Sequence, residues 1–366
     1  MDEVAAETEA LRRWLFDKAL PLWWDVGADR IGGGFYEQIG LDGKPDARAH
    51  RARSITRQAV AYCEAGRLGW NGPWQQAARH ALDYLQAHFV TADGTIVSVV
   101  DTTGVVRDST RDLYNQAFAL LAFAHGHRCF GGHWRQNAVT LRHALEHDHA
   151  DGSGGFGEPS GEPPCANPHM HLFEAALAWI AIDHAAEWRA MADALAALCL
   201  QRLIDPETGA LREFFRVGWS PADGVAGRIA EPGHQYEWAF LLHRWAALSR
   251  RDTPPAVERL IAFADARGLD RQRDVAINAV LIDDGVHDGT ARLWAQAERI
   301  RAYRIERGAG GATRVDAAVR GLRRFLQTPI PGLWFDQLKA DDCFVPEPAR
   351  ATSLYHIVGA VAELAA

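Results

Sequence analysis

Two apolar segments, 168–182 (PHMHLFEAALAWIAI) and 234–248 (HQYEWAFLLHRWAAL), decide the fold of this chain. When each segment is drawn as a helix, apolar side chains lie on nearly every side, which is typical of a helix buried all round. The segments at 187–202 and 313–327 instead carry arginines on one face and are expected at the surface. Buried helices therefore alternate with surface helices along the chain.

This alternation predicts an all-α fold, an (α/α)6 barrel whose even-numbered helices form an inner ring and whose odd-numbered helices form an outer ring. A helical solenoid also alternates, but its repeats are shorter and more regular. No linker rich in Pro, Gly or Ser divides the chain, so we expect one domain over 1–366. The twelve predicted helices span 2–19, 52–68, 74–88, 109–126, 133–147, 168–182, 187–202, 234–248, 254–267, 289–303, 313–327 and 350–364.

The connections between helices share a short pattern of Gly followed by an aromatic or apolar pair. Asp-Gly turns, such as Asp42-Gly43 and Asp93-Gly94, lie near several of them. This combination predicts short β-hairpins that cap one end of the barrel. The pattern occurs at Gly34-Phe35-Tyr36, Gly155-Phe156-Gly157, Gly209-Ala210-Leu211 and Gly332-Leu333-Trp334.

Composition excludes several classes of protein. The 366 residues carry a net charge of −8 and no basic block mixed with aromatics, which argues against nucleic acid as a partner. No apolar run approaches the roughly 18 residues needed to span a membrane. The acidic, amphipathic start of the chain is unlike a secretory signal, and five scattered cysteines favour reduced thiols. We therefore expect a cytoplasmic protein.

Two similar motifs open the sixth and eighth helices. His171 precedes Glu174 by three residues, and His234 precedes Glu237 by three, so each pair shares one helical face in the first turn. The positive end of the helix dipole disfavours imidazolium and keeps a histidine neutral, as a base requires. We expect proton-transfer chemistry here, with Glu237 orienting His234 or binding a substrate hydroxyl; a capping or hydrogen-bonded histidine is the alternative.

Further polar residues lie on other even-numbered helices. Arg57 is on helix two, Tyr114 on helix four and His356 on helix twelve, and Asn167 begins helix six beside His171. A buried salt bridge would equally explain Arg57, and core packing would explain Tyr114. Alternate helices of a barrel run parallel, so these helix starts should converge on one rim and form a single site.

Metal centres fit the sequence poorly. A di-iron bundle places Glu before His, in the reverse of the order found here. A zinc hydrolase could use His169 and His171, but no clear third ligand follows. We expect no metal and no cofactor.

At these residues the chain resembles the N-acylglucosamine 2-epimerase superfamily, whose members are (α/α)6-barrel sugar epimerases and aldose–ketose isomerases. The resemblance covers most of the chain, and the two histidine motifs are most similar to the mannose isomerase branch. One segment departs from the family pattern, since 51–55 lacks the Trp or Leu often found before the helix-two arginine. The matching segments are 167–174, 233–238, 332–336 and 354–357, with support from Arg57 and 114–118.

The resemblance implies a monosaccharide isomerase that interconverts D-mannose and D-fructose, and also D-lyxose and D-xylulose, without a metal. A sugar 2-epimerase and a non-catalytic sugar-binding barrel are the alternatives. We expect a monomer or a homodimer and no need for a phosphate on the sugar; Arg111 and Arg228 are the candidates if one is bound.

The resemblance also implies roles for individual residues. His356 would carry the proton between C2 and C1, with His234 as its acid–base partner. His171 would open the sugar ring, and Arg57 would hold the enediolate oxygen. The residues expected to bind the substrate are Tyr114, Asn167, Glu174, Arg228 and Trp334.

Overall fold

The helical patterns of the sequence appear as twelve helices in the computed structural model, which describes residues 3–159, 161–283, 285–305 and 309–366. The first helix runs through Glu3–Trp14, a π-helical turn at Leu15–Ala19 and Leu20–Asp25. The others are Ala52–Arg67, Trp74–His88, Leu113–Phe130, Trp134–Asp148, Ala166–Ile180, Ala186–Leu198 with a π-helical turn at Cys199–Leu203, Pro232–Ser249, Ala256–Arg267, Leu293–Arg304, Ala309–Phe325 and Thr352–Leu364.

The even-numbered helices form a closed inner ring. Helices two, four, six, eight, ten and twelve each pack against the next, and helix twelve packs against helix two. Helices three, five, seven, nine and eleven cover helices two, four, six, eight and ten, and the first helix packs on helices eleven and twelve. The predicted (α/α)6 barrel is confirmed, and because the ring closes, the fold is not a solenoid.

Several helix boundaries differ from the prediction for local physical reasons. Helix four begins at Leu113, not 109, because the Asp112 carboxylate accepts the backbone N–H of Asn115 and caps the helix. Helix ten begins at Leu293, because Ala291–Arg292 pairs as a strand with Gln337–Leu338. The first helix continues past Pro21, because this proline lies in the first turn of Leu20–Asp25, where a missing N–H is tolerated. Its predicted first residue, Asp2, lies outside the described residues.

Short antiparallel strands lie at the end of the barrel where the inner helices begin, as predicted. His50–Arg51 leads directly into helix two and pairs with Val99–Val100, which also pairs with Val106–Asp108. The remaining pairs are Gln38–Ile39 with Ala349–Arg350, Ile229–Ala230 with Ala279–Leu281, Ala279–Leu281 with Val286–Asp288, Ala291–Arg292 with Gln337–Leu338, and Leu269–Asp270 with Val275–Ala276.

A repeated glutamine joins this strand layer to the inner helices. The glutamine is the fourth residue of helices four, eight and ten, and its amide both accepts from and donates to the backbone of one residue in the preceding connection. This two-way bond satisfies backbone groups that burial would otherwise leave unpaired. The pairs are Gln116 with Ile96, Gln235 with Leu211 and Gln296 with Ala276, at 2.7–2.9 Å.

His169 takes the place of this glutamine in helix six. Its Nε2 accepts the backbone N–H of Phe156 at 3.0 Å, and its Nδ1 lies 2.9 Å from the carbonyl oxygen of Cys165. Burial lowers the pKa of His169 to about 4, so the ring is neutral. Both ring nitrogens are used by the backbone, and this histidine is therefore not available for the zinc site considered above.

No helix in the described ranges combines the length and apolar character needed to cross a membrane. All five cysteines are free thiols, as their scattered spacing predicts.

The glutamine repeat makes a prediction about stability. Gln116→Leu should lower the free energy of unfolding by roughly 2–6 kcal/mol, because each of the two Ile96 backbone groups left unpaired costs about 1–3 kcal/mol. Denaturant unfolding measures this difference. Gln76→Leu, at an exposed position of helix three, is the matched control. Equal stability of the two variants would show that the bond does not hold the layer.

Candidate active site

One residue from each inner helix contributes to a layer across the barrel axis. The inner helices begin at the same end and rise about 1.5 Å per residue, so equivalent positions lie at the same depth. Contacts link neighbours in this layer: the Phe118 and His171 ring centroids are 4.3 Å apart, and His171 Nδ1 is 3.9 Å from a Glu237 oxygen. The layer consists of Arg57, Phe118, His171, Glu237 and Glu298, each the sixth residue of its helix, and His356, the fifth.

Four residues of the layer, Arg57, His171, Glu237 and His356, line a polar cavity of about 160 Å³ at the N-terminal ends of the inner helices. A wider vestibule of about 790 Å³ shares the residues Arg57, Tyr114, Asn167, Arg292 and Thr352 with it. The cavity is lined by Arg57, Tyr114, Asn167, His171, Glu231, His234, Glu237, Arg292, Trp294, Thr352, Ser353 and His356.

Seven of the ten residues expected at the site line this cavity. They are the five expected catalytic residues, His356, His234, His171, Arg57 and Glu237, together with Tyr114 and Asn167. The convergence follows from the fold, because the parallel inner helices bring their first two turns to one rim.

The other three expected substrate-binding residues do not line the cavity. Glu174 lies one turn deeper than His171 and lines a separate cavity at the opposite end of the barrel. Arg228 lies in the connection before helix eight and forms an ion pair with Asp283. Trp334 is fully buried and stacks on Trp23 at a centroid distance of 4.9 Å, so it belongs to the core.

His171 is held from below by the carboxylate of Glu174, whose Oε2 lies 3.3 Å from its Nδ1. Burial is the main cause that lowers the pKa of His171 to about 4, against the opposing effect of Glu174. The ring is therefore neutral, as expected, although burial rather than the helix dipole is the leading cause.

His234 has a different carboxylate partner from the one predicted. Its Nδ1 lies 2.8 Å from Oε2 of Glu213, in the connection before helix eight, and not against Glu237. Burial by itself would lower the pKa of His234, but Glu213 and Glu231 overcome it and raise the pKa to about 10. His234 is thus protonated at neutral pH, so the two histidine motifs differ in charge although they are alike in sequence.

Glu213 was missed because it lies 21 residues before His234 in the sequence. A signal was present, since a carboxylate follows each Gly-aromatic or Gly-apolar pattern within a few residues. These carboxylates accept backbone N–H groups near the starts of inner helices, and Glu213 additionally reaches a histidine. The four carboxylates and the residues whose backbone N–H they accept are Glu37 and Arg51, Glu158 and Leu113, Glu213 and Glu231, and Asp336 and Arg350.

His356 is held by Glu298 of helix ten, whose Oε1 lies 2.7 Å from its Nδ1. Burial lowers the pKa of His356, although Glu298 opposes the change. A carboxylate that accepts the proton of Nδ1 leaves the lone pair on Nε2. Glu298 was missed, yet it is a charged residue on an even-numbered helix, the criterion that selected Arg57.

Trp294 is the tryptophan that lines the cavity, where Trp334 was expected. Its ring centroid lies 5.0 Å from that of His234 and 5.8 Å from that of His356, so it packs near both histidines. Gly233 allows this approach, since a Cβ there would lie 2.4 Å from the indole.

Glu237 carries no stable negative charge in this environment. Burial, Glu298 and Glu174 raise its pKa well above the ordinary value. Its Oε1 is buried and has no hydrogen-bond partner among the described residues. These surroundings therefore favour the neutral carboxyl form of Glu237 in the cavity lining.

Comparison with known proteins identifies the family. Residues 34–360 match the N-acylglucosamine 2-epimerase family. The chain belongs to this family. It is 41% identical to the mannose-6-phosphate isomerase of Rhizobium meliloti over 99% of this chain and 97% of the relative. The family makes this protein a sugar isomerase or epimerase that acts on a small carbohydrate.

Solved structures of family enzymes share the fold. Cellobiose 2-epimerase from Bacillus thermoamylovorans matches with a TM-score of 0.87 and 18% identity, over 98% of both chains. A D-mannose isomerase matches with a TM-score of 0.85 and 19% identity, over 99% of this chain and 96% of the other. At these identities the likeness establishes the (α/α)6 barrel and not the substrate.

Within the part of the chain that the structure describes, three groups of side chains are close enough to hold a cation. In each group, one carboxylate lies within 3.3 Å of a histidine Nδ1. Arg301 also pairs with Glu174 of the first group. Protein groups therefore already compensate the negative charge of these carboxylates. The groups are His171, Glu174 and Glu237; Glu213, Glu231 and His234; and Glu237, Glu298 and His356. That the enzyme needs no metal stays a prediction.

The Glu213–His234 contact predicts a change in titration. Glu213→Gln should lower the pKa of His234 from about 10 by roughly 1–3 units, the usual effect of one neighbouring charge. Histidine NMR titration measures this directly. Glu207→Gln, at an exposed position in the preceding turn, should leave the pKa unchanged. An unaltered His234 titration in Glu213→Gln would mean that another group holds the proton.

Proposed function

We propose that this enzyme is an aldose–ketose isomerase that interconverts D-mannose and D-fructose through a cis-enediolate. The observation that carries the proposal is the different surroundings of two histidines at one cavity. His234 lies beside Glu213 and Glu231, which raise its pKa, whereas His356 shares the Glu298 carboxylate with Arg301, and burial lowers its pKa. A neutral imidazole can take the proton from C2, and a protonated one can donate to a sugar oxygen.

The same observation favours isomerisation over epimerisation. A reversible 2-epimerase needs two bases on opposite faces of C2, each able to give up and regain a proton. His234, with a pKa of about 10, releases its proton reluctantly. A single base that carries the proton from C2 to C1 on one face needs only His356 to cycle, and this suits the isomerase reaction.

Arg57 is suited to stabilise the enediolate oxygen. Its Nη2 donates to the Tyr114 hydroxyl, and its guanidinium lies 4.0 Å over the Phe118 ring, so the group is fixed in place. Its Nε has no hydrogen-bond partner among the described residues. An arginine stays charged at any working pH, and pre-oriented donors of this kind stabilise developing negative charge.

His171 remains the proposed group for ring opening. It is neutral, lines the cavity and lies within 3.9 Å of the protonated carboxyl of Glu237. A neutral imidazole beside a carboxylic acid can pass a proton between the ring oxygen and the anomeric hydroxyl.

The relative at 41% identity is named a mannose-6-phosphate isomerase, which supports a mannose-type substrate. A 2-epimerase acting on glucose, N-acylglucosamine or cellobiose is the second candidate, because a relative from Bacteroides fragilis, 24% identical over 93% of the chain, is named a cellobiose 2-epimerase. Incubation with mannose and chromatography of the products separates the candidates. We expect fructose as the first product; glucose alone would identify an epimerase, and no product a binding protein.

Isotope exchange tests the roles of the two histidines. His356→Asn should reduce deuterium exchange at C2 in heavy water by roughly 10²–10⁴-fold, the usual contribution of a general base, with an unchanged melting temperature. His234→Asn should slow turnover while His356 still exchanges the C2 proton. If exchange survives in His356→Asn and disappears in His234→Asn, the two roles are reversed.

A phosphate on the sugar is not required by this proposal. The vestibule is lined by arginines, but acidic residues line it as well, and Arg48 and Arg51 pair with Asp46 and Glu37. We therefore expect kcat/KM for mannose to match or exceed that for mannose 6-phosphate.

The structure also changes which arginines are candidates for binding a phosphate on the sugar. Arg111 and Arg228 are paired with Asp93 and Asp283 and line neither the cavity nor the vestibule. Arg292 lines both, and its Nε is buried without a hydrogen-bond partner among the described residues. A preference for mannose 6-phosphate that is lost in Arg292→Gln but kept in Arg111→Gln would contradict the expectation and locate the phosphate.

A further inference from the structure

Arg301 of helix ten is a buried cation that touches neither the cavity nor its vestibule. It is 5% exposed, and its guanidinium lies 4.2 Å over the Phe240 ring. With Glu174 and Tyr355 it lines a cavity of about 600 Å³ at the opposite end of the barrel. These residues therefore form the partition between the two ends of the barrel.

The guanidinium connects two carboxylates from different helices. Its Nη1 donates to Oε2 of Glu298 at 2.8 Å, and its Nη2 donates to Oε1 of Glu174 at 3.5 Å. Each carboxylate turns its second oxygen to a histidine: Glu298 to Nδ1 of His356 at 2.7 Å, and Glu174 to Nδ1 of His171 at 3.3 Å. One cation thus stands behind two of the three cavity histidines.

The charges in the partition explain why this cation is needed. Burial opposes the ionisation of Glu174 and Glu298, but Arg301 and the histidines overcome it and lower the pKa of both. The Tyr355 hydroxyl also donates to Glu174. Glu237 faces the same group, but burial, Glu298 and Glu174 outweigh the opposing effects of Arg301 and His234 and raise its pKa well above the ordinary value. Arg301 therefore favours the ionised forms of the two carboxylates that it contacts directly.

We propose that Arg301 is a positioning residue: by bridging Glu174 and Glu298 it fixes the rings of His171 and His356 with Nδ1 toward a carboxylate and Nε2 free for substrate. The proposal rests on the proposed function for its catalytic consequence. Among the described residues, the structure gives neither Nε2 a hydrogen-bond partner.

Removing the positive charge should move protons onto the histidines. Arg301 and Arg57 are the cations that lower the pKa of His356, whereas Glu298 raises it. Without Arg301 the buried anions are best neutralised by an imidazolium beside them. We therefore expect Arg301→Met to raise the pKa of His356 by about 1–3 units, the range for a nearby charge.

The kinetic consequence has a defined sign. His356 must be neutral to act as the base, so activity is gained as pH rises through its pKa. If that pKa rises, the acidic limb of kcat/KM moves to higher pH by the same amount. Arg301→Lys keeps the charge but cannot bridge two carboxylates with a planar fork. Its acidic limb should stay near that of the wild type, with kcat reduced about tenfold and KM little changed.

Histidine NMR titration of the resting enzyme provides a readout independent of activity. Labelled imidazole signals of His171 and His356 are assigned by their loss in His171→Asn and His356→Asn, and their pKa values are then compared in wild type, Arg301→Met and Arg301→Lys. If the enzyme proves inactive on every sugar, the titration still tests the bridge. If Arg301→Met does not fold, Arg301→Lys provides the test. We then expect a reduced kcat together with an acidic limb of kcat/KM at the same pH as in the wild type.

Arg299 is the matched control on the same helix. It is 2% exposed and pairs with Asp274 at 2.9 Å, on the side away from the cavity. Arg299→Met should lower stability and leave both histidine titrations unchanged. Unchanged His356 titration in Arg301→Met, an equal shift in Arg299→Met, or wild-type kcat in Arg301→Lys would each overturn the proposal.

Discussion

The burial of carboxylates around a single guanidinium is the constraint on which this site depends. A carboxylate in a dry interior is costly unless a cation or hydrogen bonds compensate it. Arg301 meets this cost for Glu174 and Glu298, and each of these then supplies a fixed acceptor for a histidine. The orientation of His171 and His356 thus follows from one electrostatic arrangement below the cavity.

The difference in pKa between His234 and His356 follows from their different carboxylate partners. His356 shares its carboxylate with Arg301, whereas His234 lies beside two carboxylates, Glu213 and Glu231. The same residue type, paired in the same way through Nδ1, is therefore neutral in one place and protonated in the other. The two histidines line one small cavity, and the indole of Trp294 packs near both.

Much of this was predictable because it depends on local pattern. All-round apolar helices predicted the inner ring, and parallel inner helices brought His171, His234, His356 and Arg57 to one rim. Helix ten was the hardest inner helix to recognise from sequence, because its charged residues are typical of a surface helix although they are buried. Trp334 was misplaced because an aromatic residue suits a sugar site and a core equally, and the stack on Trp23 joins positions more than 300 residues apart.

The sequence by itself determined the barrel, its inner helices and the rim on which the histidines meet, because each depends on periodicity within a helix or on connectivity between neighbouring helices. Only the tertiary structure decided which carboxylate holds which histidine, and hence which histidine is charged. Glu213 and Glu298 reach their partners from other chain segments, and a pKa responds to the distance and burial of every nearby charge, which sequence spacing does not encode.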